Sequence, residues 1–273
     1  MNCHVVWEIE KELGMVRSQK KESSILNFPI VVQSIGKDSI FICDPQNLLG
    51  QSFIVNKEGK FIWIQPNIIY NDQLVHFRYI KMITSNTFLC IDQKGRRIIE
   101  FDKDGKIVWE YQFDENTTPI SADRTLNGNT LVLDSKQLRI VEINFNKELT
   151  WEYTPIPNEN VLIDPCIIQA LPNDNILIVD EELHSVFEIS RNKKVIWRYG
   201  DPGNPGETKG KLTYPQFALR DSKNNTLICD SQNHRIVEVN KNGRLSIIYE
   251  IIWIDSMRTN LFFFLDGTTN TIN

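Results

Sequence analysis

Five aspartates close short apolar runs in this chain. Three of them are followed five residues later by an arginine, giving Asp92 and Arg97, Asp134 and Arg139, and Asp230 and Arg235. A carboxylate and a guanidinium can form a charge-assisted pair at that spacing, which would serve a site or tie a turn. The pair recurs along the chain, whereas an active site needs one unique constellation, so turn-fixing is the stronger reading. Of the histidines, His184 and His234 stand at equivalent places, four residues after an aspartate, while His76 lies in a loop and His4 near the start. None sits beside another ligand at metal-binding spacing, and the five cysteines form no C-x-x-C pair. Neither a metal nor a cofactor is expected, and no catalytic residue can be assigned. The run Gly200-Asp201-Pro202-Gly203-Asn204-Pro205-Gly206 is glycine-rich but meets prolines and another strand. A phosphate cradle would open a helix, so the run reads as a linker.

The elements that must position these residues form a repeat. Asp44, Asp92, Asp134, Asp180 and Asp230 end the runs SIFICD, TFLCID, TLVLD, NILIVD and NTLICD. Pro29, Pro119, Pro165 and Pro215 stand fifteen residues before four of them, and Phe77 takes that place in the other. An R-I-I/V-E-type strand follows, then a strand carrying Trp63, Trp109, Trp151 or Trp197. Successive aspartates stand 42 to 50 residues apart, the shortest step from Asp92 to Asp134 and the longest from Asp180 to Asp230. Four strands in a unit of that length are the signature of a β-propeller blade. Hairpin signals recur at Lys57-Glu58-Gly59, Lys103-Asp104-Gly105 and Lys241-Asn242-Gly243. The tryptophans, at one repeat position, read as packing between blades, where each can bury about 150–250 Å².

These features predict an all-β protein, a single propeller domain over 1–273 with five clear repeats across 29–250. The segment 3–9 copies a fourth strand, and Phe262-Phe263-Phe264-Leu265-Asp266 copies a second strand. The two ends are therefore expected to share a sixth blade, with 3–9 and 251–273 closing the ring by pairing N- and C-terminal strands. Closure would remove the exposed edges of an open ring.

Composition narrows the function classes. A net charge of −5 gives no basic footprint for nucleic acid or an anionic membrane surface. No secretory signal or transmembrane run is visible. Cys43, Cys90, Cys166 and Cys229 fall on strand positions that aliphatic residues fill in sister repeats, so they read as reduced, buried thiols suited to the cytoplasm.

The segment Cys229-Asp230-Ser231-Gln232-Asn233-His234-Arg235-Ile236-Val237-Glu238-Val239 closely resembles the NHL-repeat motif. The other copies are degenerate, at Gly95 to Ile98, Gln137 to Ile140 and Leu183 to Val186. Asn127-Gly128-Asn129-Thr130-Leu131, with Trp151-Glu152-Tyr153 further on, is similar to arylsulfotransferase-like propeller repeats. The first resemblance implies a propeller that binds protein or RNA, with some enzymes among its relatives. The second would suggest sulfuryl transfer through a histidine, but no motif here marks one.

Ligand-reading positions should vary between blades. Four residues after the proline place stand Gln33, Lys81, Asp123 and Gln169, and one further on stand Arg124 and Arg220. These are the candidate channel residues, and the two arginines could hold an anion. The bland alternative is solvation, or pairing with Asp123 and Asp221. Linkers between blades should emerge on one face, where Tyr70, His76, Phe77 and Tyr214 are candidates for contacting a partner or for capping blade ends. The expected function is a binding scaffold that presents a loop face and a central channel to a protein or small-molecule ligand. The alternative is an enzyme of hydrolase, lyase or sulfotransferase type with its site at the channel mouth.

Overall fold

The computed structural model describes residues 31–43, 52–75, 77, 79–155 and 162–250. Every strand in the five blades pairs antiparallel with its sequence neighbour. The first blade holds Val31–Ile35, Ser39–Cys43, Ser52–Asn56 and Phe61–Ile64. The second holds Tyr79–Met82, Thr87–Asp92, Arg97–Asp102 and Ile107–Gln112. The third runs through Pro119–Arg124, Thr130–Asp134, Arg139–Ile143 and Leu149–Tyr153. Pro165–Ala170, Ile176–Asp180, Ser185–Ile189 and Val195–Tyr199 make the fourth. Pro215–Arg220, Thr226–Asp230, Arg235–Val239 and Leu245–Glu250 make the fifth. The first strands of successive blades touch one another in order, which makes them the inner strands of a β-propeller. Five blades, rather than the six expected, stand among the described residues. The segments 3–9 and 251–273, expected to build the sixth, lie outside the described residues, as does Asp44.

The second strands of the third and fourth blades, TLVLD and ILIVD, are buried on both faces because each of these sheets packs between two neighbours. That is why they read as unbroken apolar runs. The fourth strand of the first blade alternates burial, and those of the second, third and fourth blades are half-exposed, as outer strands should be. Each described junction has its own core. Phe41, Phe88 and Phe101 fill the first, and Leu89, Trp109 and Val141 the second. Leu133, Tyr153 and Phe187 fill the third, and Val186, Tyr199 and Ile228 the fourth. The tryptophans bridge these junctions. The indole N–H of Trp63, Trp109 and Trp151 donates to the carbonyl of Lys103, Phe145 and Arg191 in the next blade's hairpin, at 3.0, 3.0 and 3.1 Å. Trp63 also stacks on Phe88 across the first junction, with ring centroids 4.4 Å apart.

Two turns per blade set the two ends of the ring. The 3–4 hairpins need one left-handed residue, which Gly59, Gly105 and Gly243 supply, with Lys147 and Lys193 accepting it in the third and fourth blades. The 2–3 turns put Arg96, Leu138, His184 and His234 in the left-handed region, with φ of 50, 50, 53 and 50°. The histidines four residues after the aspartates are thus turn residues, a conformation histidine tolerates better than most. The linkers join these turns on one face: Phe113 N–H donates to Arg96, Gly203 N–H to Leu183, and Gln137 Nε2 to Asn116. No helix among the described residues is long and apolar enough to cross a membrane.

Candidate functional site

Asp92, Asp134 and Asp230 meet their arginines at 2.6, 3.1 and 2.7 Å. The same carboxylates accept backbone N–H groups of the turn or the incoming linker, from Gly95, Thr118 and Thr213. The recurring pair therefore ties each 2–3 turn to its linker.

The residues four after the proline place reach from one inner strand to the next. Gln33 bonds the backbone of Met82 twice, donating from Nε2 at 3.1 Å and accepting at Oε1 at 3.2 Å. Lys81 Nζ meets Asp123 Oδ1 at 2.8 Å, and Asp123 Oδ2 accepts the Ala170 N–H at 2.9 Å. Gln169 closes the series on Arg220, accepting its N–H at 2.8 Å and donating to its carbonyl at 3.3 Å. Each side chain thus stitches its blade to the next, and a ligand reaching these groups would have to displace a partner.

Arg124 and Arg220 do not pair with Asp123 and Asp221. Arg124 forms an ion pair with Glu100 on the third strand of the preceding blade, and its guanidinium lies 5.6 Å from the Trp109 ring. Arg220 meets Glu188 at 2.9 Å and lies 4.6 Å from Trp197, with the paired side chains only 7% and 5% exposed. The junction between them lacks an arginine at this place, since Ala170 stands there. Arg191 from the hairpin supplies the cation instead, pairing with Glu142 at 5.0 Å from Trp151. In the first junction the corresponding residues are Met82 and Ile54, both buried.

Among the loop candidates, Tyr70 sits on a two-strand insertion, Ile69–Tyr70 with Gln73–Leu74. The Arg97 guanidinium lies 3.7 Å from its ring, and its hydroxyl meets Glu110 at 3.4 Å. Phe77 is 4% exposed and stacks on Phe101 at 5.6 Å. His76 lies outside the described residues. Tyr214 donates its backbone N–H to His184 Nδ1 at 3.2 Å and its hydroxyl to Glu182 at 3.3 Å. An Nδ1 that accepts places the proton of neutral His184 on Nε2.

Tyr214 borders a place where the repeat breaks. Asp180 finds Ser185 where Asp92, Asp134 and Asp230 find arginine, and among the described residues it accepts only backbone N–H groups, from Ile163, Asp164 and Leu183 at 2.8 to 3.0 Å. The residue after the aspartate is Pro45, Gln93, Ser135 and Ser231 in the other blades but Glu181 in the fourth. On the inner strands, a bulge follows each proline, at Ile120, Cys166 and Gln216. Such bulges re-aim side chains. Here the Cys166 thiol and the Gln216 amide lie near enough to Glu181 to lower its carboxyl, against the burial that raises it. The thiol also lies 3.5 Å from the Gln216 carbonyl of the next blade.

The electrostatics of this corner are unlike those of the other blades. Burial, then the neighbouring Asp164 charge, pushes the Glu181 carboxyl above the usual glutamate range. Burial also raises Asp180, against three backbone N–H donors that lower it. The Cys166 thiol is pushed well up by burial and by Glu181, which leaves it a thiol at neutral pH and a poor nucleophile. The corner can donate and accept hydrogen bonds and exchange a proton at Glu181. None of Asp164, Cys166, Glu181 and Gln216 was among the expected site residues. The available signal was Glu181 itself, the one acidic residue in a column otherwise filled by proline, glutamine and serine.

No protein-family model and no curated protein matches the chain. Solved structures do. Virginiamycin B lyase from Staphylococcus aureus is 14% identical, with 82% of this chain and 70% of that one covered and a TM-score of 0.57. A protein of unknown function from Bacteroides caccae is 14% identical, over 80% of this chain and 79% of that one, at 0.59. An auxiliary nutrient binding protein from Bacteroides thetaiotaomicron is 13% identical, over 81% of this chain and 57% of that one, at 0.58. At such identities the likeness shows the fold alone, a β-propeller.

Proposed function

We propose that the chain is a binding propeller that takes a small polar ligand on its loop face, at the mouth of the ring between the fourth and fifth blades. The observation that carries this reading is the break in the repeat. Glu181 departs from the blade pattern at this corner, and burial and the Asp164 charge raise its carboxyl there. Glu181 and Gln216 would hold the ligand through hydrogen bonds, and Tyr214 would border it. The stitching residues Gln33, Lys81, Asp123 and Gln169 would keep the channel wall rigid around it. The resemblance of Asp230 to Val239 to the NHL repeat, and a cytoplasmic location suited to reduced cysteines, belong to this proposal. The solved neighbours are compatible with it, since one carries the name of a nutrient-binding protein.

An enzyme is the second reading, and the raised carboxyl of Glu181 favours it. Glu181 would then be the acid–base group of a lyase or hydrolase, a role that a group titrating closer to neutrality serves well. A thermal-shift screen with amino sugars, polyols and short amides tests the binding reading. The expected result is a stabilising probe whose effect is lost in Glu181→Ala and in Gln216→Ala. Absence of any such probe, or one that stabilises both variants equally, would overturn it. Turnover of a bound probe that disappears in Glu181→Gln while binding persists would select the enzyme.

A further inference from the structure

The third and fourth blades differ in how they distribute charge on facing strands. In the third blade Arg139 on the third strand pairs with Glu152 on the fourth at 3.1 Å. In the fourth blade the corresponding residues are Ser185 and Arg198. The acidic partner is gone and a cation stands in its place. Among the described residues no hydrogen bond or ion pair engages Arg198, and its Nε is buried without a partner. What it touches is the Phe187 ring, 5.4 Å away.

Strand register shows where this guanidinium is aimed. Phe187 pairs with Arg198, and Ser185 lies two residues back on the same face. That face is turned toward the third blade, because Phe187 packs with Leu131, Leu133 and Tyr153. Tyr153 ends the outer strand of the third blade; it is 1% exposed and its hydroxyl has no partner. Burial raises that phenol, and the Arg198 charge works against the shift. Ser185 is 0% exposed, and its hydroxyl is likewise unpartnered. Three hydrogen-bond donors, one of them charged, thus stand unsatisfied in one interface. Leaving a buried donor unpaired costs about 1–3 kcal/mol, and more for a charged one. Native interiors hold few such groups. An occupant that satisfies all three must bring several acceptor atoms and a negative charge.

We propose that the loop-face end of the interface between the third and fourth blades binds a small oxyanion, a phosphate or carboxylate group, through the Arg198 guanidinium and the Tyr153 and Ser185 hydroxyls. The planar fork of arginine matches two oxygens of such a group, and the hydroxyls complete its shell. This site is separate from Glu181 and stands whether or not that corner binds anything.

Calorimetric titration of the whole chain with inorganic phosphate, and separately with acetate, tests the proposal against sodium chloride at matched ionic strength. Saturable binding of at least one oxyanion is expected, and the tighter arm identifies the group. Arg198→Gln should abolish the binding, and Tyr153→Phe, which keeps the ring, should weaken it about tenfold. No saturable binding beyond the chloride control would overturn the proposal, as would an affinity unchanged in Arg198→Gln. Should Arg198→Gln fail to fold, Tyr153→Phe decides alone, and an unchanged affinity there would also overturn it.

Discussion

Glu181 differs from its counterparts Gln93, Ser135 and Ser231 in being ionisable, and its environment makes that difference visible to pH. Burial and Asp164 raise its carboxyl in the folded chain, so between the unfolded and folded values the native state holds a proton that the unfolded state has released. Its favourable contribution is therefore complete below the ordinary glutamate range and is lost as pH rises through the folded value. Glu181→Gln should match the wild type near about pH 4 and exceed it in thermal stability near about pH 8. A melting-temperature difference that fails to grow between those two conditions would contradict the assigned environment. Gly200 makes a steric argument at the same scale. Its φ is +103°, and a Cβ there would lie 2.2 Å from the His184 carbonyl oxygen. Gly200→Ala should cost more than about 1 kcal/mol in urea unfolding, because both the backbone angle and the backbone contact forbid the methyl.

At the scale of elements, the junctions show one problem solved in three ways. Arg124 and Arg220 come from inner strands, Arg191 comes from a hairpin, and the first junction dispenses with charge by using Met82 and Ile54. Arg124→Met alone leaves Glu100 buried beside apolar neighbours and should cost about 3–5 kcal/mol. Adding Glu100→Ile restores the apolar solution that the first junction uses, and the double variant should recover to within about 1 kcal/mol of wild type. Denaturant unfolding of the three chains decides, and a double variant no better than Arg124→Met would refute the equivalence of the two solutions. The same junctions explain what the sequence revealed. Blades were legible because a sheet packed on both faces demands unbroken apolar second strands, and because aspartates and turn residues recur at fixed places. The partners of Arg124 and Arg220 were not legible, since Glu100 and Glu188 lie 24 and 32 residues upstream and meet them only when blades stack. Nor could a pattern of residue types reveal the bulges that carry Cys166 and Gln216 to Glu181, because a bulge changes register rather than composition.

At the scale of the whole molecule, each described blade bonds chiefly with the blades before and after it. The inner-strand stitches from Gln33, Asp123 and Gln169 all run to the next blade, and the tryptophan hydrogen bonds obey the same rule. An assembly of this kind has a stability close to a sum of blade terms and nearest-neighbour terms. A propeller can carry unlike tasks, because function resides in sites placed on the fold rather than in the fold itself. Changes at one junction need not propagate to another, so the departures around Glu181 and Arg198 are tolerable where they are. This locality can be measured. Glu100→Gln unpairs Arg124 between the second and third blades, and Glu188→Gln unpairs Arg220 between the fourth and fifth. Each should destabilise the chain by about 2–4 kcal/mol, and the combined variant should lose the sum to within about 0.5 kcal/mol. Glu100→Gln with Arg124→Gln, by contrast, should lose less than the sum, because the second change removes the charge that the first stranded. A coupling well above about 0.5 kcal/mol between Glu100 and Glu188 would mean that strain travels around the ring, and that the fourth-blade departures are felt by every other blade.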